Sequence, residues 1–391
     1  MRNKQETSVR FGWRTKSLIG ITLTTLVFGC YKTPVNIPEL KNFEQVNLVA
    51  NSSVYHPVTV DPTLLNAFGV AWSPNGVAWV NSVGGHVSEL YSSEGAIVRK
   101  PVNIPASAED LTGGLPTGIV FSGGKGFNLP NGPSAFLFAG FEGVVSGWNP
   151  ALGDNARGIK KVARSNYTGL AIASNNGHNL IYAANFGASR IDVWDTAFRE
   201  VHMPFRDPGL PAEYSPYNIQ AVGDRLFVMY AQLSITDGAV GHVAGAGKGF
   251  VSIFNTDGSF VKRFASGGSL NIPWGITQAP ANFLVQHDMN TKAGLVGEIG
   301  PENSTNNQGN PYPKEAVILV GNFGDGRINV FSLNGEYLGQ LHAHDQAIVI
   351  DGLWALSFAP STATAIDPSR LYFTAGPRNE SDGLFGYLIK K

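Results

Sequence analysis

Residues 169–195, GLAIASNNGHNLIYAANFGASRIDVWD, read as three short strands joined by two tight turns. The apolar run GLAIAS (169–174) ends at the turn formers Asn175, Asn176 and Gly177. LIYAAN (180–185) and RIDVWD (190–195) follow, separated by a second turn around Gly187, and residues 198–204 offer a fourth strand. This unit recurs along the chain. Equivalent openings are GVAWSP at Gly69, GIVFSG at Gly118, NIQAVG at Asn218, GITQAP at Gly275 and ALSFAP at Ala355, at spacings of 49, 51, 49, 57 and 80 residues. The long last spacing contains a polar insert, 281–315; a smaller insert, 232–248, sits in the fourth unit. Repeats of this length with several short strands each predict an all-β, six-bladed β-propeller. The sixth unit runs out after its third strand. QVNLVA (45–50) is therefore expected to supply the missing outer strand and close the ring from the N-terminal side, removing an open sheet edge.

The 47 glycines and 23 prolines suit a fold made of turns, and charged residues are only 15% of the chain. The first sixteen residues carry a net +4, leaving −5 for the remainder of a chain whose total is −1. A mildly acidic remainder without basic runs argues against nucleic acid as a partner. Residues 17–28 (SLIGITLTTLVF) form an uncharged apolar segment, too short for a membrane-spanning helix but suited to a secretory leader. The leader ends in Val27-Phe28-Gly29-Cys30, which is similar to a bacterial lipobox, and Cys30 is the sole cysteine. The expectation is a lipoprotein-type signal over 1–29, lipid on Cys30, a tether over 30–42 and a propeller over 43–391. Multiple acyl chains would hold such a protein on a membrane. The expected location is the bacterial cell envelope: outer-membrane-anchored, periplasmic or extracellular.

The stretches IYAANFGASRIDVWD and ILVGNFGDGRINVFSLNGEYLGQL resemble NHL-type repeats. Over a longer span, PTGIVF, GWNP, SPYNIQ, PWGI, GNFGDGRINVF, IDGLWALSF and YFTAGP…DGLFG resemble a family of exported bacterial β-propeller proteins. The resemblance implies the fold and export. It implies no activity.

In a propeller, the loops entering each inner strand share a rim with the turns between second and third strands. Phe68, Thr117, Thr168, Tyr217, Trp274 and Trp354 stand at equivalent positions just before the six inner-strand starts. Asn66, Asn166, Asn271 and Asp351 lie close upstream. The turns add Asn81, Glu142, Asn185, Asn322, Asp325, Glu380 and Asp382. Two readings follow from this ring. Phe68, Tyr217, Trp274 and Trp354, with Asn66, Asn166, Asn185, Asn322 and Asp325, can form a stacking and hydrogen-bonding platform for a glycan, a peptide or an envelope protein. Alternatively, the aromatics fill the channel axis. Residues 232–248 fall on the same rim, where they can act as a lid.

An alternative enzymatic reading is similar to six-bladed lactonases of the gluconolactonase and paraoxonase kind, which hold Ca²⁺ on the axis. Asn166, Asn218, Asn271 and Asp351 would contribute oxygen ligands, with one anion among them. Other motifs fall short. Gly241–Gly249 (GHVAGAGKG) lacks a hydroxyl residue after Lys248, so it is not a P-loop. His342 and His344 belong to an outer strand, and no zinc-type cysteine or histidine cluster is present. The reading preferred from sequence is a non-catalytic binding or interaction scaffold.

Overall fold

The computed structural model describes residues 40–281, 283–284 and 316–391. All of them fall within the unit Val35–Lys391. The expected leader, Cys30 and most of the 281–315 insert lie outside the described residues.

Six small antiparallel sheets form the blades. Their inner strands are Ala67–Trp72, Pro116–Phe121, Tyr167–Asn175, Tyr214–Val222, Pro273–Gln278 and Leu353–Ser357. Each inner strand packs on the next, and the sixth packs on the first, which closes a ring of six. The closure predicted from sequence is present. Phe43–Ala50 runs antiparallel to Leu384–Lys390, with a bulge between Asn47 and Val49. A further short strand, Thr59–Val60, pairs parallel to Phe43–Ala50, so the sixth blade has five strands rather than four.

Second and third strands are buried on both faces. Ala78–Ser82, Phe136–Gly140, Val317–Asn322 and Leu371–Ala375 contain no exposed residue, as expected for a strand sandwiched between neighbouring blades. Near the axis the inner strands approach so closely that glycine is required. A Cβ on Gly275 would stand 2.5 Å from the Trp354 carbonyl oxygen and 2.9 Å from the Leu356 nitrogen, both rigid backbone atoms of the next blade. Gly275→Ala is expected to destabilise the ring by about 1–3 kcal/mol through overpacking, measured by denaturant unfolding. Below the rim a crevice of about 20 Å³ lies among the inner strands, lined by Gly69, Gly118, Asn218 and Gly275 among others. That is room for about one water molecule.

The third blade departs from expectation. Its sheet has three strands, Tyr167–Asn175, His178–Asn185 and Arg190–Asp195. Residues 198–204 make only a bridge between Trp194 and Glu200, with backbone bonds from Asp195 N–H to Arg199 and from Val201 N–H to Val193. Pro204 has no N–H to continue a ladder, and Pro208 and Pro211 follow. The segment therefore leaves the sheet.

Candidate functional site

The rim aromatics do come together, and they bring two partners that the sequence reading did not include. Phe186 and Phe323 each follow the asparagine ending a second strand, in the paired NFG turns, and point to the axis. Trp354 is sandwiched between Phe68 (centroids 3.8 Å apart) and Phe323 (4.0 Å). Trp274 meets Phe68 edge-on at 5.1 Å, and Tyr217 meets Phe186 at 4.7 Å. Trp354, Tyr217, Trp274 and Phe68 are all buried. The indole N–H of Trp274 donates to the Thr168 carbonyl at 2.8 Å, and the hydroxyl of Thr117 lies 2.7 Å from the Tyr167 carbonyl. The open stacking platform is thus corrected. Both faces of Trp354 are taken by neighbouring rings, and the ring of aromatics plugs the axis.

The asparagines are largely committed as well. Asn185 is fully buried; its Oδ1 accepts from Asn166 N–H, and its Nδ2 donates to Ser165 and Asp192. Asn322 donates to the Ser269 carbonyl and to Asp325, which also accepts from Arg327 N–H. Asn81 reaches across to the Thr117 and Gly118 carbonyls of the next blade. These side chains staple turns and blades together. The four candidate calcium ligands do not form a cage. Asn166 donates to the Phe141 carbonyl, Asn218 to the Trp274 carbonyl, Asn271 accepts from Gly245 N–H, and Asp351, at the surface, accepts from Arg378 N–H. Among the described residues no group of three or more His, Cys, Asp or Glu side chains could hold a metal ion. This donor set does not fit Ca²⁺, which takes six to eight oxygens.

One feature above the plug has a different character. Arg378, Asn379 and Glu380 all have left-handed backbone angles (φ 55°, 53° and 65°). For residues with a Cβ this conformation costs ~1–2 kcal/mol each, and such strain concentrates at functional sites. The turn is held by Glu380 N–H to the Gly376 carbonyl, by Ser381 Oγ to the Arg378 carbonyl, and by the Arg378 guanidinium against Asp382. It places the Glu380 carboxylate 2.8 Å from Asn66 Nδ2, while Asn66 Oδ1 accepts the Trp354 indole N–H at 2.8 Å. Asn66 itself has φ 50°, which asparagine tolerates.

Glu380 remains exposed along one side. Even so, desolvation by the protein around its carboxyl pushes the pKa above the usual carboxylate range, against the opposing pull of Asn66. No lysine or arginine among the described residues pairs with it; Arg378 is turned to Asp382. Its field also reaches Tyr217, whose phenol burial drives far up, and whose hydroxyl lies 3.1 Å from His242 Nδ1. Burial lowers the His242 pKa, so the imidazole is neutral near pH 7.

The 232–248 insert lies over this rim. The long strand Arg225–Thr236 pairs with Ala239–His242 in a hairpin turned by Asp237 and Gly238, both at positive φ. Leu233 and Val240 pack on the aromatic cluster, while Ile235 at the tip is exposed.

No protein-family model matches the chain. The chain is 33% identical over 364 residues to uncharacterized protein L690 of Acanthamoeba polyphaga mimivirus, covering 88% of this chain and 84% of that one. It is 30% identical over 365 residues to uncharacterized protein R648 of the same virus, covering 88% and 80%. The sequence resemblance implied bacterial relatives; these two are viral. Among solved structures, a streptogramin B lyase aligns at TM-score 0.48 and 12% identity (90% of this chain, 98% of that one). A gluconolactonase from Xanthomonas campestris aligns at 0.45 and 12% (83% and 86%). Those likenesses are too distant to bear on chemistry. At the level of sequence, the chain belongs to the β-propeller family that includes the mimivirus proteins L690 and R648.

Proposed function

We propose that the protein is an exported recognition scaffold that captures a basic side chain of a peptide or envelope protein at its axial rim. The observation that carries this reading is Glu380, a carboxylate held over the plug by a strained left-handed turn, with no cationic partner among the described residues. A partly desolvated anion is stabilised by an incoming ammonium or guanidinium. The committed asparagines and the filled axis leave this carboxylate as the group with chemistry to offer. Export rests on the basic, apolar leader and on the Val27–Cys30 sequence, with lipid on Cys30 as the tether.

The test is titration of the protein with short capped peptides carrying a central lysine, arginine or norleucine. Lysine and arginine peptides should bind, and Glu380→Gln should weaken them at least tenfold while leaving the unfolding midpoint nearly unchanged. Equal binding of the norleucine peptide, or an indifferent Glu380→Gln variant, rejects the reading. Export is checked separately, by the mass of the mature chain. Cleavage before Cys30 with added acyl mass is expected, and an intact leader sinks the proposed anchor.

A further inference from the structure

Asp382 joins the N-terminal closing segment to the strained rim turn. Its side chain is only 8% exposed, so its donors must come from the protein rather than from water. One is Arg378 of its own turn, at 3.3 Å. The others come from the loop that follows the closing strand: Asn51 Nδ2 at 2.8 Å on Oδ1, and the Tyr55 hydroxyl at 2.6 Å on Oδ2. Asn51 is tied further, because its N–H donates to the Gly383 carbonyl and its Oδ1 accepts from Gly383 N–H. The loop is itself pinned to the closing strand. Asn47 Nδ2 donates to the Tyr55 carbonyl at 2.8 Å, and Val58 N–H donates to the Asn47 carbonyl. A single helical turn, Ser53–Tyr55, carries the half-buried tyrosine, whose ring packs on the hydrophobic cluster that includes Leu384.

The main chain of Asp382 carries the connection inward. Its N–H donates to the Pro377 carbonyl at 3.1 Å, across the left-handed turn, and its carbonyl accepts from Asn66 N–H at 2.9 Å. Asn66 is the residue that holds both the Glu380 carboxylate and the Trp354 indole. A line of hydrogen bonds therefore runs from Tyr55 and Asn51 through Asp382 to Asn66 and Glu380. We infer that Tyr55, Asn51 and Asp382 are positioning residues for the rim carboxylate: N-terminal closure of the ring clamps the 378–382 turn, and Glu380 is presented over the plug only while that clamp is shut. What Glu380 captures rests on the reading proposed above; how it is held rests on these bonds alone. Consecutive left-handed residues with side chains persist only where their surroundings over-determine them. Bonds to a carboxylate are the strong, charge-assisted kind that can do so.

Tyr55→Phe is compared with Tyr182→Phe in the full chain. Both keep the ring and lose one hydroxyl; that of Tyr182 donates to the Thr256 carbonyl at 2.7 Å, between blades three and four. Amide hydrogen exchange is followed at Glu380 and Asp382, whose N–H groups donate within the turn, and the capped lysine peptide is titrated. Tyr55→Phe should speed exchange at both amides about tenfold, as expected for one lost bond to a charged group. It should weaken the lysine peptide by about the same factor, while its unfolding midpoint stays close to that of Tyr182→Phe. Tyr182→Phe should change neither exchange at the turn nor affinity. Asn51→Ala, which removes the second donor, should act in the same direction as Tyr55→Phe. Unchanged exchange at Glu380 and Asp382 in Tyr55→Phe overturns the clamp, as does an equal acceleration in Tyr182→Phe. Faster exchange with lysine-peptide affinity intact overturns the positioning role. A wild-type chain that binds no lysine peptide rejects the capture reading instead, and the exchange measurement then decides the clamp by itself.

Discussion

Trp354→Ala should lower the stability of the propeller by about 4 kcal/mol, within the ~3–5 range for truncating a buried aromatic. The indole is 1% exposed, lies between Phe68 and Phe323 at stacking distance, and meets Tyr217 and Trp274 at 6.1 and 5.9 Å. Its removal leaves a cavity where four other aromatic rings converge, and those rings come from three different blades. They cannot collapse into it without moving the ring itself. The change also strips Asn66 Oδ1 of its donor, and Asn66 holds the Glu380 carboxylate. Calorimetry should show a midpoint about 5 °C lower, given the unfolding entropy of a chain of this length. Trp354→Phe keeps one stacked ring and loses the N–H and part of the indole, so its cost should fall to about 1–2 kcal/mol. A midpoint within one degree of wild type for Trp354→Ala would mean that the rings are a solvent-facing surface after all, and would restore the platform reading.

The plug also shows where sequence reasoning stops. Phe68, Tyr217, Trp274 and Trp354 were legible as one set because position within the repeat fixes which way a residue faces. Whether four aromatics leave an opening depends on what else arrives at the axis. Phe186 and Phe323 come from the turns between second and third strands, a different place in the repeat. Their signal was the shared Asn-Phe-Gly of the two turns; its consequence appears only when six blades are summed around one axis. The closing strand Phe43–Ala50 was legible because a missing strand in a counted repeat must come from somewhere. The failed outer strand at 198–204 contained its own warning in Pro204. Glu380 was legible only as one of several acidic turn residues. Nothing in PRNESDG announces three consecutive left-handed residues, because Arg and Glu, unlike Gly or Asn, carry no preference for that conformation. The turn is imposed from outside, by the Asp351 carboxylate on Arg378 N–H and by the Arg378–Asp382 pair.

Stability should fall as pH rises from about 4.5 through 7, and Glu89→Gln should abolish most of that fall. Glu89 lies on the third strand of blade one, Val87–Tyr91, and is 1% exposed. Burial is the main reason its carboxyl is pushed up to about 7, with the nearby charge of Asp61 acting in the same direction and the Thr63 hydrogen bond opposing both. The local geometry supports a protonated acid. The Thr63 hydroxyl lies 2.6 Å from both Asp61 Oδ1 and Glu89 Oε1, yet has one proton to give. Asp61 also accepts from the Tyr91 hydroxyl at 2.8 Å. The short contact to Glu89 is satisfied when Glu89 itself carries a proton and donates to Thr63.

The sign follows from linkage. Below about 4.5 both folded and unfolded chains hold the proton, and this group leaves stability unchanged. Between about 4.5 and 7 the unfolded chain releases the proton while the folded chain keeps it, so unfolding becomes progressively easier. Above 7 the loss levels off at about 3 kcal/mol, the equivalent of the shift from 4.5 to about 7. Glutamine preserves the volume and offers an N–H to Thr63 without a charge. Denaturant titrations at pH 5 and pH 8.5 should therefore show wild type losing stability by on the order of 2–3 kcal/mol between the two, from this group, and the glutamine variant losing far less. At pH 8.5 the variant should be the more stable protein. If both lose the same amount, Glu89 is ionised in the fold and the raised carboxyl is rejected.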